Sequence, residues 1–114
     1  MISKALTAAS VTPVMLSLLS QGEAYGYQII QRVQQLSGGS IKWTAGTLYP
    51  VLHRLETKGQ VVSYWQEATS GRLRKYYKIT PVGVKALEAE KRQWMQVNAV
   101  LVQLLGPDLA LQPG

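Results

Sequence analysis

Gly46-Thr47-Leu48-Tyr49-Pro50-Val51-Leu52-His53-Arg54-Leu55-Glu56-Thr57-Lys58-Gly59 is the stretch on which the reading of this chain turns. Leu48, Val51, Leu52 and Leu55 recur at helical spacing and make one apolar stripe. At about 100° per residue, Gly46, Pro50, His53 and Thr57 fall on the opposite side, flanked by Thr47, Tyr49 and Arg54. One face therefore belongs to a core, and the other, polar and basic, is offered to a partner. Pro50 complicates the start, because a proline inside a helix loses a backbone bond and crowds the preceding turn. The regular helix is expected to begin near Thr47, or to have a distorted first turn.

Gly59 ends that helix. Val61-Val62-Ser63-Tyr64-Trp65-Gln66 and Tyr76-Tyr77-Lys78-Ile79 are rich in β-branched and aromatic residues, and Glu67 to Arg72 has the composition of a turn. The two runs predict a hairpin whose tip is basic on its returning side. Tyr77 and Ile79 alternate with Tyr76 and Lys78, which assigns Tyr77 to the core side.

Upstream, Thr12-Pro13 followed by Val14, Met15, Leu18 and Leu19 predicts a first helix over Thr12 to Gln21, with the proline at its tolerant first position. Ile29, Ile30, Val33 and Leu36 predict a second helix from Tyr25 to Leu36, stopped by Ser37-Gly38-Gly39-Ser40. Ile41-Lys42-Trp43 is long enough only for a brief strand or an extended connector. Thr80-Pro81 repeats the capping signal and opens a last helix, on which Leu87, Trp94 and Leu101 fall seven apart with Val97 and Leu104 on the companion seam. Gly106-Pro107 closes it, and Asp108 to Gly114 reads as a loose tail. The chain is thus mostly α with a small β-hairpin: a winged helix-turn-helix over residues 1–80, a C-terminal dimerisation helix over 81–105 and a tail over 106–114.

Composition narrows the function. The 114 residues are 46% apolar, enough for one core without metals or disulfides, and there is no cysteine. Net charge is +6, of which residues 41–80 hold +5, residues 1–40 hold +1 and residues 81–114 none. An excess confined to one segment makes a one-sided positive field, which draws in a polyanion such as DNA. Catalysis finds no support: there is one histidine, and the sole aspartate, Asp108, lies in the tail. No phosphate-binding loop or metal-ligand spacing is present, so no cofactor or metal is expected. With no signal-like or membrane-spanning stretch, the expected setting is the cytoplasm.

Four motifs in order, Ala24-Tyr25-Gly26-Tyr27-Gln28-Ile29, Gly46 to Glu56, Gly71-Arg72-Leu73-Arg74-Lys75-Tyr76-Tyr77 and Ile79-Thr80-Pro81-Val82-Gly83, resemble the PadR family of bacterial transcriptional regulators over about residues 12 to 105. The length and the single terminal helix resemble its short branch. The resemblance implies a homodimer, repression of a nearby gene and, in many members, release from the operator by a small molecule.

The residues carry matching roles. Thr47, Tyr49, Pro50 and His53 on the front of the third helix can meet base edges, phosphates or a thymine methyl, and Gly46 lies on the same face. Arg54 and Lys42 suit phosphates. Gly71 lets the wing turn, and Arg72, Arg74 and Lys75 can straddle the backbone or enter the minor groove. Tyr25 and Gly26 open the second helix, where free N–H groups favour a phosphate oxygen. Tyr49 has a second reading, as packing against the wing, and Arg54 another, as a partner of Glu56. Met15, Leu87, Trp94, Val97, Leu101 and Leu104 are the candidates for dimer or effector contact. Trp94 fits either buried interface or one wall of a site for a flat apolar ligand between two symmetry-related rings. The alternative to a DNA-binding regulator is a winged-helix module that binds protein.

Overall fold

The computed structural model describes residues 3–106. In chain order they form α1 (Lys4–Ser20), β1 (Ala24–Tyr25), α2 (Gly26–Leu36), α3 (Ala45–Thr57), β2 (Val61–Glu67), β3 (Leu73–Ile79) and α4 (Pro81–Leu105). The expected tail from Asp108 to Gly114 lies outside the described residues.

α1 starts well before Thr12. Ser3 caps it, its hydroxyl accepting from the Leu6 N–H at 3.2 Å, and Ala5, Ala8 and Ala9 are strong helix formers. Pro13 therefore sits inside the helix instead of at its head. It forfeits the bond to the Ala9 carbonyl, but Val11 before it and Met15, Leu16, Leu18 and Leu19 after it are all buried, so packing on both sides holds the helix through the defect.

The hairpin of β2 and β3 pairs Val61 with Ile79 through to Glu67 with Leu73, and β3 begins earlier than Tyr76, taking in Arg74 and Lys75. The turn closes with the Ala68 N–H on the Arg72 carbonyl at 2.8 Å, and Gly71 supplies the left-handed residue at φ 83°. A third strand was not legible: β1, two residues long, pairs Ala24 with Tyr77 and Tyr25 with Tyr76, giving the sheet order β1-β3-β2. Ile41-Lys42-Trp43 is a connector, anchored by Trp43, which is buried.

α3 begins at Ala45, ahead of the expected Thr47, because Thr44 caps it by accepting from the Thr47 N–H at 3.3 Å. Pro50 lies within it, and the carbonyl it leaves without a helical donor is that of Gly46. Leu48, Leu52 and Leu55 of α3 join Met15, Leu16 and Leu19 of α1, Ile29 and Val33 of α2, Val61 and Tyr77 in one core.

α4 is fastened at its start. The Thr80 hydroxyl accepts from the Gly83 N–H at 3.1 Å and donates to the Gly59 carbonyl, while the Thr80 N–H donates to the Gln60 carbonyl at 3.0 Å. A Cβ on Gly83 would overlap the Gln60 carbonyl oxygen and lie 2.7 Å from Ile79 Cγ1. Ala86 and Leu87 still pack on the core, but from Lys91 to Leu101 every residue is exposed. The radius of gyration, 15.7 Å, exceeds the roughly 13 Å of a compact chain near this length because the helix stands off the body.

Candidate nucleic-acid interface

The exposed side of α3 carries Gly46, Tyr49, Pro50, His53 and Arg54, with Thr47 half-buried among them. The Thr47 hydroxyl lies 3.4 Å from that of Thr44, so the cap and the front of the helix share one polar edge.

Tyr49 is placed by α2. A Cβ on Gly26 would overlap the Tyr49 hydroxyl and approach Tyr49 Cζ to 2.9 Å and Leu48 Cδ2 to 3.2 Å. Gly26 is therefore buried beneath the Tyr49 ring, and its missing side chain lets α3 close on the start of α2. The Tyr49 ring nonetheless stays 47% exposed, and the neighbour beneath it is Gly26 of α2. The Gln28 side chain accepts from the Tyr25 N–H at 3.2 Å, which fixes that end of α2.

The wing meets the same place. Arg74 donates from Nη1 to the Tyr25 hydroxyl, and its guanidinium carbon lies 4.4 Å from the Tyr25 ring centroid. Tyr25 contacts Tyr76 edge-on at 5.4 Å, and Tyr76 stacks on Tyr64 at 5.8 Å, a row of rings crossing all three strands. At its end the Tyr64 hydroxyl is pushed up to about 12, chiefly because it donates to the Glu23 carboxylate, which favours the protonated form. On the other face of the sheet, burial raises the Tyr77 hydroxyl, with Tyr49 and Glu56 adding to it, and the Lys75 ammonium lies 5.8 Å from the Tyr77 ring centroid.

Between these elements is a cleft of about 580 Å³, lined by Tyr25, Gly26, Tyr27, Tyr49, Trp65, Arg72, Leu73, Arg74 and Lys75. Six of the residues picked out in the sequence, Tyr25, Gly26, Tyr49, Arg72, Arg74 and Lys75, thus share one concavity. Lys42 and Arg54 lie outside its lining: Lys42 is exposed in the connector, and Arg54 Nη2 donates to the Thr12 hydroxyl at 3.4 Å. Glu56 accepts from Ser63 instead of pairing with Arg54. Tyr27, Trp65 and Leu73 were missed, although Trp65 and Leu73 are in phase with Tyr77 along the strands.

A second cleft, of about 780 Å³, separates α1 from α4 and includes Pro13, Val14, Leu87, Lys91, Trp94 and Met95 in its lining. Val97, Leu101 and Leu104 point to solvent along α4. Met15 does not belong with them: it has no exposed surface and lies in the core of the winged part, where the phase of α1 carries it inward. Among the described residues no helix is long and apolar enough to cross a membrane, and no group of three or more histidine, cysteine or acidic residues could hold a metal.

Three helices, a wing built from a small antiparallel sheet and a long terminal helix define a winged helix-turn-helix of the kind found in transcription regulators. Residues 15–89 match the Transcriptional regulator PadR-like family, and the chain belongs to that family. A transcriptional regulator from Clostridium thermocellum superposes with a TM-score of 0.82 at 32% identity, over 90% of this chain and 97% of that one. A PadR family transcription regulator from Clostridium difficile does so with a TM-score of 0.71 at 35% identity, over 85% of this chain and 99% of that one. In sequence, a transcriptional regulator of Mycobacterium tuberculosis is 46% identical over 59 residues, 52% of this chain and 54% of that protein.

Proposed function

We propose that this chain is a sequence-specific regulator of transcription that binds duplex DNA as a homodimer in the cytoplasm, and that it represses until a small aromatic or apolar effector releases it. The observation that carries the reading is the cleft in which Tyr49 of α3, Tyr25 and Gly26 at the start of α2, and Arg72, Arg74 and Lys75 of the wing come together. In this reading α3 enters the major groove with Gly46, Thr47, Tyr49, Pro50 and His53 toward base edges. Arg72, Arg74 and Lys75 hold phosphates beside it, Lys42 and Arg54 reach the backbone further out, and Gly71 supports the turn.

The uncovered apolar run of α4 supplies the dimer contact, through Trp94, Val97, Leu101 and Leu104. Two copies joined there present two α3 helices to half-sites about 34–36 Å apart. The cleft between α1 and α4, with Trp94 and Leu87 in its lining, is where the effector acts.

Titration of a duplex recovered from a genomic-fragment selection, repeated across ionic strength, tests the DNA reading. Affinity should fall steeply with salt, and replacing Arg72, Arg74 and Lys75 by alanine should flatten the slope by roughly one unit per lost phosphate contact. A wing variant that binds as tightly as the parent at every salt concentration overturns it. The effector site is tested by following tryptophan fluorescence while aromatic compounds are added, with Trp94→Phe as control. Quenching should require Trp94.

A further inference from the structure

The apolar alternation of β2 and β3 runs past the end of the core. Register places Val61, Ser63, Trp65 and Glu67 opposite Ile79, Tyr77, Lys75 and Leu73, and directly opposed residues share a face, so Val61, Tyr77, Trp65 and Leu73 all lie on one side of the hairpin. At its base that side is closed, with Val61 and Tyr77 at 0% and 5% exposure. Toward the tip it is open, with Trp65 at 65% and Leu73 at 63%. Arg72 and Arg74 adjoin Leu73 in sequence, and Lys75 stands across from Trp65.

On this face Lys75 stands opposite Trp65 and Glu67 opposite Leu73, Arg72 adjoins Leu73 at the turn, and Arg74 lies on the other face against Tyr25. An indole and an isobutyl group held in the open within this cationic tip suit a surface that is anionic at its edges and apolar within. The minor groove of a duplex has that make-up: phosphates line its rims, and sugar edges and base steps accept apolar side chains between them. We propose that Trp65 and Leu73 form an apolar wedge that enters the minor groove beside the site taken by α3, while Arg72, Arg74 and Lys75 hold the flanking phosphates. The inference rests on the DNA reading above and adds to it a contact that releases no counterions. Because a wedge opens the step it enters, the flank preferred by this protein contains flexible pyrimidine–purine steps, read without hydrogen bonds to their bases.

The test compares the full-length parent with Trp65→Ala, Leu73→Ser and Arg72→Ala on the selected duplex across ionic strength. Thermal melting of each variant accompanies the comparison, since both apolar positions are exposed and the fold should survive. Trp65→Ala and Leu73→Ser should each weaken binding roughly tenfold while leaving the salt slope unchanged. Arg72→Ala should instead lower the slope by about one unit. Netropsin, which fills the minor groove, should compete more strongly with the parent than with the Trp65→Ala/Leu73→Ser double variant. Parental affinity retained by either apolar variant, a slope that falls with the affinity, or equal competition by netropsin overturns the wedge and leaves the DNA reading standing. A parent that binds no duplex overturns the DNA reading itself.

Discussion

α3 and α4 each begin on a threonine whose hydroxyl accepts the N–H three residues on, Thr44 for Thr47 and Thr80 for Gly83, and each carries apolar residues at helical spacing. In α3 the stripe is closed within the chain, with Leu48 and Leu52 at 0% exposure and Leu55 at 1%. In α4 the stripe is open beyond Leu87, with Leu101 at 40%, Val97 at 54% and Leu104 at 76%. The same periodicity makes a core in the first helix and an uncovered apolar face in the second. Local sequence cannot separate the two cases, because what differs is whether the rest of the fold reaches that face.

The largest effect expected from this contrast is on stability. Leu52→Ala opens a cavity in a closed core and should cost about 2–5 kcal/mol. If α4 is covered by a second copy, the urea midpoint of the parent rises with protein concentration. Leu52→Ala should keep that dependence at a lower midpoint, whereas Leu101→Glu should abolish it and sediment as a monomer. A Leu101→Glu protein that still sediments as a dimer would break the comparison, since its stripe would then be covered by something other than Leu101 and its neighbours.

Next in size is an effect on DNA binding that originates in α2. Tyr49→Ala should cost roughly 1–3 kcal/mol at particular base pairs. Gly26→Ala, whose own position is buried, should cost a similar amount, because the added methyl displaces the Tyr49 ring from below. The two losses should not add: in the Tyr49→Ala background the collision with that ring is gone, and Gly26→Ala should have little further effect on binding. Additive losses would mean that Gly26 contacts the duplex by its own backbone, as the sequence alone suggested, and that its closeness to Tyr49 is incidental.

How far the sequence reached follows from the range of the forces involved. Capping and periodicity placed α2, the wing and α4 closely, because Thr80-Pro81, Gly59 and the alternation around Tyr77 act within a few residues. Thr12-Pro13 misled, since a proline signal at the head of a helix is the same when Ser3 and a run of alanines have already started that helix upstream. β1 was invisible, because two residues acquire their strand geometry only by pairing with Tyr76 and Tyr77 far along the chain. Of the residues singled out by their chemistry, Tyr25, Gly26, Tyr49, Arg72, Arg74 and Lys75 line one cleft, while Lys42, Gly46, Thr47, Pro50, His53, Arg54 and Gly71 lie outside its lining. Trp65 and Leu73 were passed over because only the register shows that the face they share with Tyr77 runs beyond the core. Met15 was misassigned for the converse reason, its side chain being indistinguishable in sequence from one on an open seam.

The smallest effect sharpens the contrast through two glycines in the first turns of the two helices. A Cβ at Gly83 of α4 overlaps the Gln60 carbonyl oxygen, whereas at Gly46 of α3 it meets only the Thr44 hydroxyl oxygen, at 3.6 Å, an ordinary contact. Neither glycine has the positive φ that would require its type on backbone grounds. The fold therefore demands Gly83 and leaves Gly46 free. Gly83→Ala should destabilise the protein by loosening α4 from the end of α3. Gly46→Ala should stabilise it, by about 0.4–1 kcal/mol, through the lower entropy of the unfolded chain. If the open face of α3 approaches a duplex closely, the same Gly46→Ala change should weaken DNA binding while the melting temperature rises, since the methyl projects where the groove must come. Opposite movement of stability and affinity at one residue is a signature that packing alone does not produce, and a Gly46→Ala protein with undiminished affinity would move the close approach to another part of α3.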